Sequence, residues 1–336
     1  MLVLGERDVA ALIRPAEAIR LAAAAFRLSA AAPGGGSTRG TLRADGPPRG
    51  CLILAGSAGP RSLSVKSNVH SFADGPEAPR RWASLLTLWD WEMARPRALL
   101  SADLFNEHRT AAGFAAAIDR LAAPDAATAA LFGAGKSAFT AALYLRTVRP
   151  SLSRLHLVGR SPDRVAALRD RLASEPALAG TTLSTEAAPA EAVAASAVVI
   201  TVTTADTPVF PGEAARAGAC VVLGGANRST AREADDALIR RADIFVDSEH
   251  GIFDKAGDLA GARASGALDP ARIRGALGAF PDGIPPLSDG ADLRVFKSVG
   301  LALQDVLLAE ALVSAAEAGG RGQAVDLQGT DSEGAR

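Results

Sequence analysis

The stretch "ALFGAGKSAFTAALYL" constrains this chain more than any other. An apolar run of strand length ends in Gly133-Ala134-Gly135-Lys136-Ser137-Ala138, and helix-spaced apolar residues follow at once. The spacing Gly-x-Gly-x-x-Ala between a strand and a helix has a physical reading. Gly133 permits a tight turn, Gly135 lets a diphosphate approach the backbone, and Ala138 lets helix and strand pack closely. The free N–H groups of the first helical turn, at Lys136 and Ser137, then face the anion. Alone, the pattern is only a turn of small residues. Its setting decides: "RLHLVGR", "AVVITVT", "ACVVLGG" and "DIFVDS" are further short apolar runs, most of them separated by helical stretches. That alternation predicts a parallel sheet with crossover helices, so the fold class is α/β and residues 116–296 form a dinucleotide-binding (Rossmann) domain.

The strand ends refine the ligand. A site for NAD(H) carries an acidic residue after the second strand, where it accepts the ribose hydroxyls. Here that strand ends in "LVGRSPDR", which places Gly159 and Arg160 there and then Ser161 and Arg164. Two cations and a hydroxyl suit a 2′-phosphate, so NADP(H) is favoured over NAD(H); the competing reading is a solvated loop. Thr203 in "ITVTTADTPVF" and Leu223 in "VVLGGANRS" close two more strands on the side where ligands of such sheets bind. The glycines after Leu223 would let a ring or substrate approach the backbone.

The first 115 residues read differently. "VAALIRPAEAIRLAAAAFRLSAAA" has helical spacing, and "APGGGSTRG" breaks it. "CLILAG", "SLSVK", "SLLTLWDWE" and "RALLSADL" read as strands of a mainly antiparallel sheet, with a turn at Ala94–Pro96. "RTAAGFAAAIDRLAA" reads as a helix over 109–123, with Thr110 as its N-cap. "VKSNVHSFADG" places Lys66 at the end of a strand, with a polar loop after it. Residues 255–295 suggest short helices and loops, and "FKSVGLALQDVLLAEALVSAAEA" a helix over 296–318 that returns to the N-terminal sheet. The expected division is therefore a discontinuous α+β domain of 1–115 with 297–320, the Rossmann domain of 116–296, and a disordered tail of 321–336.

Several functions are excluded. Lys plus Arg number 36 against 37 Asp plus Glu, with no cluster of basic and aromatic residues, which argues against a nucleic-acid partner. No uncharged apolar run reaches the length of a membrane span. The start lacks the basic and long apolar regions of a signal peptide. Cys51 and Cys220 lie far apart without ligand-like spacing, which suits a reducing cytoplasm and neither a disulfide framework nor a metal site.

Taken together, "VK" at 65–66, "HRTAA" at 108–112, "FGAG" at 132–135, "GGANRSTAREAD" at 224–235, "VDS" at 246–248 and "FKSVGLALQD" at 296–305 resemble the ornithine cyclodeaminase/mu-crystallin family over residues 5 to 315. The resemblance implies a sheet-rich substrate and dimerisation domain beside the Rossmann domain, and a homodimer. It also implies hydride transfer to or from the α-carbon of an amino acid or its imine. Lys66 matches the family lysine that contacts the substrate carboxylate or carbonyl, and Arg109 the arginine beside substrate and cofactor. Arg43 stands where the other carboxylate-binding arginine belongs, with Arg39 as runner-up. Ser298 and Val299 match positions near the nicotinamide and the substrate. A planar guanidinium binds a carboxylate bidentately, so converging cations imply a small anionic amino or imino acid.

One departure bears on the reaction. Cyclodeaminases of the family carry an aspartate after the glycine pair of the 224–235 motif, and here Asn227 takes its place. An amide has no suitable pKa for base catalysis, whereas an imine reductase needs only an oriented nitrogen, which Asn227 can provide. The segment "SNVHS" also departs from the family, which commonly has a proline there; His70 is a candidate proton source or a plain loop histidine. The expected activity is an NAD(P)H-dependent imine reductase or amino-acid dehydrogenase. The alternatives are a cyclodeaminase with catalytic NAD and a non-catalytic NADPH-binding protein.

Overall fold

Two sheets carry the architecture, one built by hairpins and one by crossovers. The computed structural model describes residues 1–32, 36–44, 49–72, 80–185 and 187–327. The chain divides into a first unit of Met1–Leu21, Gly34–Arg109 and Leu301–Arg336, and a second of Ala22–Pro33 and Thr110–Gly300. The first unit is discontinuous, and residues 22–33 group with the second unit rather than with the N-terminal segment expected to hold them.

The strands of the first unit are β1 (Leu2–Leu4), β2 (Ser37–Ala44), β3 (Arg49–Ser57), β4 (Leu63–Phe72), β5 (Arg80–Asp90) and β6 (Arg95–Ser101). Strands β2 to β6 pair antiparallel in chain order, β1 joins β6 in parallel, and a last strand, β15 (Gln323–Ala324), closes the order β15-β1-β6-β5-β4-β3-β2. The tail expected to be disordered from 321 thus contributes an edge strand, where Leu2 and Val3 offer an unpaired backbone; 328–336 lie outside the described residues. One sheet face is buried through Leu4, Leu54, Leu86, Leu88 and Leu100. On the opposite face Leu42, Val69 and Leu85 stand exposed.

The helices are α1 (Glu6–Leu12), α2 (Pro15–Ala31), α3 (Asp103–Leu121), α4 (Lys136–Val148), α5 (Pro162–Ala173), α6 (Pro189–Ala194), α7 (Asp236–Arg241), α8 (Ile252–Lys255), α9 (Gly257–Ala264) and α10 (Ala302–Ala318). Three differ from expectation. The N-terminal helix is two, because Pro15 lacks the N–H to continue a ladder and favours a helix start. Helix α3 begins at Asp103, so Thr110 is interior and caps nothing; Asp103 places a carboxylate in the first turn, where the dipole favours it. Residues 296–297 belong to a strand, β14 (Leu293–Lys297), and α10 starts at Ala302.

In the second unit all five expected runs are strands: β7 (Thr128–Phe132), β8 (Arg154–Val158), β10 (Val198–Thr201), β11 (Cys220–Leu223) and β12 (Ala242–Val246). With β9 (Thr182–Ser184), β13 (Ile273–Ala276) and β14 they form a parallel sheet in the order β13-β12-β14-β11-β10-β7-β8-β9. Strands β10, β11 and β12 are buried along their whole length, as expected of a sheet covered on both faces. The strand order reverses at β7, the switch point where open α/β sheets bind ligands. This is a Rossmann-type domain accompanied by a second, α+β domain.

Candidate active site

In the first unit the site is built on one transverse row of the sheet. Leu54 stands opposite both Arg39 and Lys66, and Lys66 stands opposite Leu86. Directly paired residues share a face, so Arg39 and Lys66 project to the same side. Lys66 is the fourth of ten residues in β4, not the end of a strand. The strand runs on through "SNVHSF" because β3 and β5 pair with it on both sides up to Ser71. His70 is therefore a strand residue, stacked on Trp82 at 5.5 Å between ring centroids, and not a loop histidine. Residues 73–75 of the quoted stretch lie outside the described residues.

The Lys66 side chain is fully buried. Its Nζ donates to Asp305 Oδ1 at 2.7 Å, and the Nε of Arg109 lies 3.3 Å from that same oxygen. Asp305 sits in the first turn of α10, and its Oδ2 is buried without a hydrogen-bond partner among the described residues. The ring of Phe105 covers Nζ at 6.0 Å. Burial pushes the Lys66 pKa down from 10.5 to about 7, Arg109 pushes the same way, Asp305 opposes both by charge and hydrogen bond, and Arg39 lowers it further. His108, the neighbour of Arg109, is held at about 4 by burial and stays neutral near neutral pH. Lys66 and Arg109 meet at the same Asp305 oxygen, and Arg39 stands in the Lys66 row. Part of the balancing negative charge, however, comes from the protein itself.

Arg43 stands elsewhere. Its backbone pairs with Gly50, which pairs with His70, four residues along the strands from the Lys66 row. At roughly 3.3 Å per residue that is about 13 Å away. The side chain of Arg43 lies outside the described ones. Between the two rows, Asn68 Oδ1 accepts from Asn106 Nδ2 at 2.7 Å, and Asn106 also donates to Ser84 Oγ at 3.2 Å.

The second unit carries the nucleotide features. Gly133 has φ +125°, and a Cβ there would stand 2.8 Å from the Val202 carbonyl oxygen, so only glycine fits the turn. A Cβ at Gly135 would meet nothing within 4 Å, which leaves open space in front of the α4 N-terminus. Ala134, Lys136 and Ser137 line this turn, and Ala138 is buried beneath it. These residues fit a diphosphate: a concave backbone cradle with the unpaired N–H groups of a helix start. After β8, Arg160 and Arg164 are exposed, and Ser161 caps α5 by accepting from the Arg164 N–H at 3.4 Å.

The remaining strand ends are organised by an acid that the sequence reading did not single out. Glu233 is fully buried; its Oε1 accepts from Thr203 N–H and Oγ1 at 2.7 Å each, and its Oε2 from the N–H groups of Gly225 at 2.7 Å and Ala226 at 3.0 Å. Asp258 accepts from the Glu233 N–H at 2.6 Å and pairs with Lys297 Nζ at 2.8 Å. Thr203 is thus committed to Glu233. The glycine pair after Leu223 is packed closely within the protein: a Cβ at Gly224 would strike the Phe114 ring at 2.2 Å, and one at Gly225 the Thr203 backbone at 2.2 Å. Asn227, two residues on, is exposed. Leu223 is buried and contributes its carbonyl, which accepts from the Ser298 N–H at 3.1 Å. Ser298 Oγ and the N–H groups of Val299 and Gly300 all donate to Asp247 Oδ2 at 2.9 Å, so the "VDS" motif fixes the turn after β14.

Asp305 and Glu233 both lay inside quoted motifs without a role. For Asp305 the available signal was an acid within an otherwise apolar helical run, since buried polar residues are the informative ones, whereas Glu233 stands in a polar loop before α7 and carried no such signal.

A sequence model described as the ornithine cyclodeaminase/mu-crystallin family matches residues 58–320. A delta(1)-pyrroline-2-carboxylate reductase of Paracoccus denitrificans is 30% identical over 268 residues, 79% of this chain and 83% of that one. The ketimine reductase mu-crystallin of Mus musculus is 28% identical over 69% of each chain. The structure of Thermococcus litoralis delta(1)-pyrroline-2-carboxylate reductase in complex with NADH and L-proline superposes with a TM-score of 0.85 at 25% identity, covering 97% of this chain and 100% of that one.

Proposed function

Because this chain belongs to the ornithine cyclodeaminase/mu-crystallin family, we propose that it is an NAD(P)H-dependent oxidoreductase that reduces the C=N bond of a small α-imino acid. The observation that carries this reading is the buried convergence of Lys66 and Arg109 on Asp305, with Arg39 in the same row. If Lys66 is charged, three cations face one carboxylate, which leaves room for the carboxylate of a substrate. The reductase names and the bound NADH and L-proline of the relatives support the same chemistry.

The nucleotide supplies a hydride when bound; Gly133, Ala134, Gly135, Lys136 and Ser137 would hold its diphosphate. Arg160, Ser161 and Arg164 favour a 2′-phosphate, hence NADP(H). Arg109 and Arg39, rather than Arg43, hold the substrate carboxylate, since Arg39 shares the row of Lys66 and Arg43 stands about 13 Å along the strands. Lys66 Nζ, with a pKa near neutrality, gives a proton to the substrate nitrogen as the C=N bond is reduced. Val299 borders the substrate, and Asn227 orients the nitrogen through its amide. The exposed apolar sheet face of Leu42, Val69 and Leu85 is the surface on which two copies of the chain associate as a homodimer.

The test is nucleotide oxidation with a panel of cyclic and open-chain α-imino acids, the latter formed from keto acid and amine. Reduction of at least one, abolished by Lys66→Met, is expected; inactivity with every one, under both NADPH and NADH, refutes the proposal. Asn227→Asp is expected to introduce ammonia release from a diamino acid without net nucleotide oxidation.

A further inference from the structure

Lys66 faces an unusual set of neighbours. Its cross-strand partners on β3 and β5, Leu54 and Leu86, are buried and apolar. Arg39 from β2 and Arg109 from α3 are both cationic, and the Phe105 ring of α3 closes the other side. Asp305 from α10 is the one negative group among these neighbours, and it touches both Lys66 and Arg109 through a single oxygen. A lysine so placed without a counter-charge would shed its proton and swing away from the two guanidinium groups. The burial cost of a lone ammonium, added to repulsion by two cations, leaves little to keep it charged.

We propose that Asp305 is a positioning residue of the reaction: it keeps the Lys66 ammonium charged and aimed, so that Lys66 can deliver a proton to the substrate nitrogen. As the new N–H bond forms, the Nζ–H bond breaks and its electron pair stays on Nζ; the neutral amine, still held by the Asp305 carboxylate, is reprotonated from solvent. The inference rests on the imine-reductase reading for the identity of the proton acceptor, but not for the pairing itself.

The experiment compares the wild type with Asp305→Asn and Asp305→Glu. In the wild type the reductive kcat/KM is expected to fall on the alkaline side as Lys66 loses its proton. Losing a hydrogen bond between charged groups is expected to move that fall about one to two pH units lower in Asp305→Asn. At about pH 7.5 this is roughly a tenfold or greater loss, shrinking toward lower pH. Asp305→Glu restores the wild-type position of the fall even where its maximal rate is lower. A second readout needs neither substrate nor nucleotide. The stability difference between Asp305→Asn and the double variant Asp305→Asn/Lys66→Met is expected to begin rising with pH at a lower pH than the corresponding wild-type difference. A uniform rate loss with an unmoved pH profile, or an unmoved stability window, overturns the proposal. A wild type inactive with every imine refutes the functional reading, and the stability readout then decides the role of Asp305 alone.

Discussion

Replacing Lys66 by methionine isolates the cost of burying its charge. The Lys66 pKa lies at about 7 in the fold against 10.5 ordinarily, and each pH unit between the two is worth about 1.4 kcal/mol. Relative to the unfolded chain, the fold therefore disfavours the protonated form over the neutral one by about 5 kcal/mol. Because the folded value is the lower, the unfolded chain binds more protons between the two values, and stability rises with pH through that window. The penalty is fully present below the folded value and gone above the unfolded one. Lys66→Met keeps an unbranched side chain, one heavy atom shorter, and removes the titration. The stability of the wild type relative to Lys66→Met should thus improve by about 2–3 kcal/mol between about pH 7.5 and about pH 9.5. Urea unfolding followed by tryptophan emission suits the measurement, because all three tryptophans, Trp82, Trp89 and Trp91, lie in the unit that holds Lys66. Other titrating groups cancel in the difference. A difference that stays flat over this range would show that Lys66 keeps its proton as an exposed lysine does, and the electrostatic account of the site would fail.

Three further outcomes are expected. Arg160→Ala with Arg164→Ala should lower kcat/KM for NADPH about 10- to 100-fold while leaving that for NADH within about threefold, as loss of charged contacts to a 2′-phosphate requires; steady-state kinetics with both nucleotides checks it. Gly133→Ala should weaken nucleotide binding severely and destabilise the second unit by about 1–3 kcal/mol through backbone strain, beyond the 2.8 Å contact with the Val202 carbonyl; nucleotide titration by calorimetry and thermal unfolding read the two effects. Glu233→Ala strips the acceptor from Thr203, Gly225 and Ala226 at once and should cost about 3 kcal/mol or more, whereas Glu233→Gln should cost less; denaturant unfolding distinguishes them.

Local chemistry made much of the second unit legible in the sequence. A turn that only Gly133 can make, a strand before it and a helix after it lie within about twenty consecutive residues, and the five apolar runs from β7 to β12 are strands because each is too short and too apolar for anything but a covered parallel sheet. Boundaries that depend on competition between neighbouring signals were less legible: α3 extends back to Asp103, and β4 continues through His70 because strands on both sides supply partners.

Composition and spacing determined that this chain has a nucleotide-binding domain, and the family resemblance carried by its motifs made Lys66 and Arg109 candidates for meeting an anion. Only the tertiary structure decided which carboxylate they share, because Asp305 stands 239 residues from Lys66 in the chain. It also decided that Arg39 shares the Lys66 row while Arg43 does not, since that depends on the register of β2 on β3 and β3 on β4. The physical reason is the same in both cases. Turns and helix starts are set by forces between near neighbours, whereas the charge state of a buried lysine is set by whatever long-range pairing brings beside it.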